Sequence, residues 1–243
     1  MINNNGINGK GLDNFPLLSD NELHVWQVST NITPKAFLEY KNVLTGKELN
    51  NISFLKFKQA KDSYVVSQGA LRKLLSGYLG IPPNLVKIGR QEKGKPYSID
   101  DPNLNFNMSN SGQLVAIAFS YDGEVGIDIE QIRPLPDLDE MINANFSANE
   151  IRFITTKLKE KLNRFFRFWT IKESYLKAIG EGMRLTPDCL EFSIDEDRIK
   201  LLSVKGVFEP EDWKFKEFSA SADYVGSITY GRNDTVIKFM DFK

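Results

Sequence analysis

Gly126-Ile127-Asp128-Ile129-Glu130, and further along Phe168-Trp169-Thr170-Ile171-Lys172-Glu173-Ser174-Tyr175-Leu176-Lys177, are the two stretches whose reading decides the fold. In a strand, successive side chains point to opposite faces, so Asp128 and Glu130 share one face while Ile127 and Ile129 fill the other. In the second stretch Trp169, Glu173 and Lys177 recur at helical spacing and stack as one row. That row adds a third acid and a cation. Carboxylates brought close together repel unless a cation sits between them, and hard oxygen ligands suit Mg²⁺. The pattern implies a Mg²⁺ site with room for a phosphate ester.

The bulk properties confine this chemistry to a local site. At 243 residues the chain can bury a substantial core. Lys and Arg number 31 against 32 Asp and Glu, so no global charge draws it to nucleic acid or to a membrane surface. Cys189 is the one cysteine, no leader pattern opens the chain, and no apolar run reaches membrane-spanning length. A cytoplasmic setting is the expectation. His24, the one histidine, lies in the alternating run His24-Val25-Trp26-Gln27-Val28, which reads as a strand residue and leaves a Ser-His-Asp or His-ligated zinc mechanism poorly supplied.

Outward from the two motifs, residues 1–20 lack any period and read as a loose arm. Thr33 caps a helix opened by Pro34. Lys47, Lys56, Lys58 and Lys61 form a basic segment leading into a helix from Asp62 to Leu79, stopped by Gly80 and Pro82-Pro83. Val86-Lys87-Ile88 reads as a short strand, and Lys93-Gly94-Lys95-Pro96 as a turn in which Gly94 lets backbone approach a ligand. Asn105 to Gly112 places small polar side chains at a strand end, suited equally to phosphate oxygens or to capping a turn. Leu114 to Phe119 is a buried strand, and Tyr121-Asp122-Gly123 turns it into a hairpin with the Gly126 strand. Ser147 and Glu150 form a capping box ahead of one or two helices over 149–179, closed by Gly180 and Gly182. Trp169 reads as core and Lys172 as helix surface, with direct catalysis by either as the open alternative. Five strand-like segments follow, from Leu190 to Phe239, as a sheet-rich C-terminal half.

Helix, Gly/Pro stop and strands recur in the same order in both halves. The expected class is α+β, with two similar halves over 1–122 and 123–243 related by a pseudo-twofold axis and a ligand cleft between them. A monomer is expected, since one chain would supply both sides of the cleft.

Taken together, His24-Val25-Trp26, Ala70-Leu71-Arg72, Gly94-Lys95-Pro96, Phe106-Asn107-Met108-Ser109, Gly126 to Glu130 and Trp169 to Lys177 resemble the Sfp-type 4′-phosphopantetheinyl transferases, in that family's order and over His24 to Ile194. The resemblance implies Asp128, Glu130 and Glu173 as Mg²⁺ ligands. It implies Lys177 beside the phosphates of coenzyme A; Glu173 and Lys177 are the catalytic candidates, with the proton acceptor open between Glu173 and a metal-bound water. It implies Lys93, Gly94, Lys95 and Pro96 at the nucleotide end, and Ser109 near the 3′-phosphate. Lys61 stands where arginine is usual, keeping charge but not fork geometry. Asn110 stands where the family usually has histidine between two serines, and it can donate a hydrogen bond but carry no charge.

The implied reaction is attack by a serine hydroxyl of an apo acyl or peptidyl carrier protein on the β-phosphate of coenzyme A, releasing adenosine 3′,5′-bisphosphate. The carrier is expected to dock between Pro134 and Arg167. Two alternatives stay open: a coenzyme A or carrier-protein binding module weakened in catalysis, and a Mg²⁺-dependent phosphohydrolase.

Overall fold

Five of the eight residues in β1 (Glu22–Ser29) are buried, on both faces, because the strand lies inside a sheet with a layer on each side. The computed structural model describes residues 15–180, 185–195, 198–205, 213–231 and 234–242. Helices α1 (Pro34–Lys41), α2 (Gly46–Phe54) and α3 (Lys58–Leu79) follow β1, then β2 (Ile88–Arg90), β3 (Pro96–Ser98), β4 (Asn105–Ser111), β5 (Leu114–Ser120) and β6 (Val125–Gln131). The second part carries α4 (Leu138–Asn145), α5 (Ala148–Thr155), α6 (Lys161–Ile179), β7 (Leu190–Asp195), β8 (Arg198–Val204), β9 (Lys214–Phe218), β10 (Tyr224–Tyr230) and β11 (Val236–Asp241).

Two sheets organise the molecule, one ordered β11-β1-β5-β4 and the other β6-β10-β9. Alternation along β1 sorts its two faces. Trp26 and Val28 pack with Val66, Leu71, Leu74 and Phe119 under α3, while Leu23 and Val25 join Ala118, Ile127, Ile129 and Ile228 between the sheets. A third core gathers around α6, with Phe165, Phe168, Ile171 and Phe192. Both long helices end at a left-handed glycine, Gly80 and Gly180, each with φ 67°.

The expected hairpin between β5 and β6 is corrected. β5 is already paired on both edges, with β1 and β4, so β6 crosses to the other sheet and pairs with β10, Ile127 opposite Ile228. Nor does every C-terminal strand stay with the second half: β11 returns to run parallel with β1, Val25 opposite Phe239, so the division at 122/123 separates the sheets except for this last strand. α2 was not foreseen, although Thr45 and Glu48 form a capping box, and Lys47 therefore lies in its first turn. α4 was not foreseen either, and α3 begins four residues before Asp62. Val86 is buried just outside β2. Of the expected loose arm, Phe15 stacks on Trp26 at 5.6 Å and Leu18 packs on the first core; residues 1–14 and Gly182 lie outside the described residues.

Candidate active site

β4 and β6 are the facing edge strands of the two sheets, and no backbone ladder joins them. Side chains stand in for one. Asn107 Oδ1 accepts the Ile127 amide at 2.9 Å and Ser111 Oγ accepts the Gln131 amide at 3.1 Å, so an otherwise open edge is satisfied. Alternation then carries the same pairing to the acids: Ser109 Oγ donates to Asp128 Oδ1 at 2.8 Å and Ser111 Oγ to Glu130 Oε2 at 2.5 Å. Ser111 and Asn107 were missed as site-building residues; their spacing of two from Ser109, matching that of the acids on β6, was the signal.

α6 closes on this strand pair because Gly126 has no side chain. A Cβ there would lie 1.9 Å from the Ser174 carbonyl oxygen and 2.5 Å from the Ala178 amide. Ser174 also reaches Thr229 Oγ1 at 2.8 Å, docking the helix on β10. The approach brings Lys177 Nζ to 2.7 Å from Asp128 Oδ1 and 2.9 Å from Ser109 Oγ. Burial first, then the charge of Asp128, raises the Glu173 carboxyl above its ordinary value. Burial likewise raises Glu130, against the hydrogen bond from Ser111. The third member of the row, Trp169, stays with the core around α6 and stacks on Phe165 at 5.8 Å.

Beside these acids opens a cavity of about 720 Å³, lined among others by Lys93, Lys95, Pro96, Glu173 and Lys177. Lys95 is nonetheless engaged: its Nζ donates to Glu124 at 2.5 Å and to the Ala178 carbonyl at 2.7 Å, tying the turn to the last turn of α6. Gly94, at φ 95°, makes that turn possible. Asn110 and Lys61 lie apart from this lining. Exposed Asn110 donates to Ser63 Oγ at 3.3 Å, beside a separate hollow of about 430 Å³, and Lys61 is half-buried on the first turns of α3. Ser109 is buried among Asp128 and Lys177 rather than presented to solvent.

Among the described residues no three acidic, histidine or cysteine side chains are gathered as a ready metal cage. Yet Asp128 is 4% exposed and its Oδ2 is buried with no hydrogen-bond partner among the described residues. A buried carboxylate oxygen left unpaired costs free energy that a hard cation would relieve, so the donor set fits such an ion.

Two family descriptions match the chain, "4′-phosphopantetheinyl transferase, N-terminal" over residues 26–122 and "4′-phosphopantetheinyl transferase superfamily" over 124–229. The 4′-phosphopantetheinyl transferase HetI of Nostoc sp. is 31% identical over 229 residues, covering 83% of this chain and 95% of that protein. This chain belongs to the 4′-phosphopantetheinyl transferase superfamily. The L-aminoadipate-semialdehyde dehydrogenase-phosphopantetheinyl transferase of Mus musculus is similar too, 31% identical over 201 residues, 74% of this chain and 65% of that one. So is the 4′-phosphopantetheinyl transferase gsp of Aneurinibacillus migulanus, 33% identical over 169 residues, 65% of this chain and 68% of its own. The phosphopantetheinyl transferase is an enzyme of mixed α+β fold, and membership sets aside the binding-module and phosphohydrolase readings. No helix among its described residues is long and apolar enough to cross a membrane.

Proposed function

We propose that this phosphopantetheinyl transferase moves the 4′-phosphopantetheine arm of coenzyme A onto a serine of an apo acyl or peptidyl carrier protein, with Mg²⁺ and with release of adenosine 3′,5′-bisphosphate. The observation that supports it most is that Glu173 and Lys177 line one cavity while Lys177 is paired with the buried Asp128 behind it. Phosphoryl transfer depends chiefly on positioning and on neutralising developing charge. Asp128, Glu130 and Glu173 would hold Mg²⁺, which when bound supplies Lewis-acid stabilisation at the pyrophosphate oxygens.

The remaining roles fall to the protein's own groups. Lys177, on the helix turn after Glu173, steadies the leaving phosphate. Glu173, whose carboxyl burial raises, is suited to accept the proton of the attacking serine. Lys93, Lys95, Gly94 and Pro96 form the basic turn for the nucleotide end, with Lys61, Ser109 and Asn110 as further contacts for coenzyme A. The protein acts as a cytoplasmic monomer, without nucleic acid or membrane partners.

Intact-mass spectrometry of an apo carrier protein incubated with this protein, coenzyme A and Mg²⁺ tests the reading. A gain of one phosphopantetheine arm, lost on adding a chelator, is expected. No gain on any of several acyl and peptidyl carriers would overturn it.

A further inference from the structure

Lys172 sits in the middle of the decisive helical motif, next to Glu173, and the sequence places it on the helix surface. The structure buries it completely: its side chain and that of Glu150 are each 0% exposed, and the two form an ion pair at 2.7 Å. Lys172 is therefore no surface charge.

The pair joins segments that the chain separates widely. Lys172 Nζ lies 3.0 Å from the Asn145 carbonyl at the end of α4, 2.9 Å from that of Pro187 and 2.9 Å from that of Leu190, above the Phe146 ring at 4.6 Å. Glu150 Oε2 also accepts the Ser147 amide at 2.7 Å, and its Oε1 accepts the Phe192 amide at 2.8 Å. An ammonium and a carboxylate are thus matched almost bond for bond by fixed backbone groups. Filling the same space with apolar side chains is often as stable as a buried ion pair. What apolar side chains cannot do is aim hydrogen bonds at chosen carbonyls.

The aim has a consequence at the cavity. Leu185, Thr186 and Pro187 form one stretch of its wall, and Glu173, Leu176 and Lys177 of α6 form a second. Lys172 belongs to the helix of the second stretch, while its bond to Pro187 O ends in the first. We infer that Lys172 and Glu150 act as positioning residues that set the width of the substrate cleft, holding the 185–187 wall at a fixed distance from the acids and Lys177. They touch no reacting atom. The apolar wall they hold takes the pantetheine arm of coenzyme A, so this inference rests on the proposed transfer reaction.

The test separates positioning from stability. In the double variant Lys172→Met with Glu150→Met no buried charge is stranded, but the carbonyls of Asn145, Pro187 and Leu190 and the amides of Ser147 and Phe192 lose their partners, so its melting temperature falls and its kinetics are measured where it is fully folded. Positioning predicts that its KM for coenzyme A rises about tenfold, with kcat within about threefold and inhibition by adenosine 3′,5′-bisphosphate unchanged, because only the arm's contacts are loosened. A double variant that folds and keeps the parental KM overturns the inference. Should the double variant not fold, Lys172→Gln with Glu150→Gln strands no charge and is too short at position 172 to keep the bond to Pro187, and the same KM rise is expected of it; a parental KM there overturns the inference equally. Failure of the parent itself to modify any carrier would instead count against the transfer reaction, so the two outcomes remain distinct.

Discussion

Lys177 Nζ and Asp128 Oδ1 lie 2.7 Å apart, and Ser109 Oγ bridges them, accepting from the lysine at 2.9 Å and donating to the same carboxylate oxygen at 2.8 Å. One oxygen of Asp128 is thereby saturated while the other, Oδ2, is buried without a partner among the described residues. The saturated oxygen orients the carboxylate, and the unpaired one is a buried acceptor whose cost a hard cation would relieve. Asp128→Ala is expected to lower carrier modification by at least about 100-fold, the scale of losing a preorganised electrostatic group. Near-normal turnover, measured by intact mass on a variant with parental circular dichroism, would remove Asp128 from the site.

The two serines of β4 should differ in effect. Ser109→Ala takes a partner from both Asp128 and Lys177, whereas Ser111→Ala takes one from Glu130 and one from the Gln131 amide. A lost hydrogen bond of this kind costs about 1 kcal/mol, or roughly fivefold. Ser111→Ala is expected to reduce turnover by about fivefold, and Ser109→Ala by more. Steady-state kinetics on the pair decides it; equal and negligible effects would mean that neither serine orients an acid.

Gly126→Ala forces a methyl group into the Ser174 carbonyl, which is backbone and cannot swing aside. Overpacking of this sort costs about 1–3 kcal/mol, and the melting temperature is expected to fall by roughly 3–10 °C. Turnover is expected to fall further than stability explains, because α6 carries Glu173 and Lys177. A thermal scan with a parallel activity assay at a temperature where the variant is fully folded tests both parts.

Acid sensitivity should trace in part to His24. Its ring is buried between Tyr78, whose hydroxyl lies 2.8 Å from Nδ1, and Glu22, at 3.2 Å from Nε2, with Lys238 paired to the same glutamate. The Trp26 indole can only donate, and it donates to Tyr78 Oη at 2.7 Å, so the tyrosine proton goes to Nδ1 and Nε2–H faces Glu22. Burial holds the imidazole below its ordinary 6.5, outweighing Glu22. The unfolded chain therefore takes up the proton first. Stability from this group is complete above about 6.5 and is lost as the pH falls toward the lowered native value. Glu130 and Glu173, raised by burial, act in the opposite sense, full below their ordinary 4.5 and lost as the pH rises. His24→Gln isolates the histidine: denaturant titrations between about pH 5 and 7 should show a flatter pH dependence than in the parent.

Removal of divalent cations is expected to abolish transfer, and Mg²⁺ to restore it. Isothermal titration should in addition show Mg²⁺ binding that weakens at least about tenfold in Asp128→Asn, an affinity readout that needs no carrier protein. Unchanged turnover in excess chelator would dismiss the metal.

Much of the site could be read along the chain because its chemistry follows local periods. Asp128 and Glu130 share a face through the strand's period of two, and Glu173 and Lys177 are neighbours through the helical repeat. Ser147 with Glu150, Thr33 with Pro34, and Gly80 and Gly180 were equally local, since a cap is made within a few residues of the helix end it satisfies. Only the tertiary structure decided the rest. Whether β6 pairs with β5 or crosses to β10 depends on which strand edges are already occupied, and β11's return to β1 depends on an edge left open by residues far upstream. The same reason separates Lys172 from its expected place. A helical repeat fixes which residues share a face, but burial depends on what packs there, and Glu150, Pro187 and Leu190 arrive at Lys172 only once the chain has folded around it.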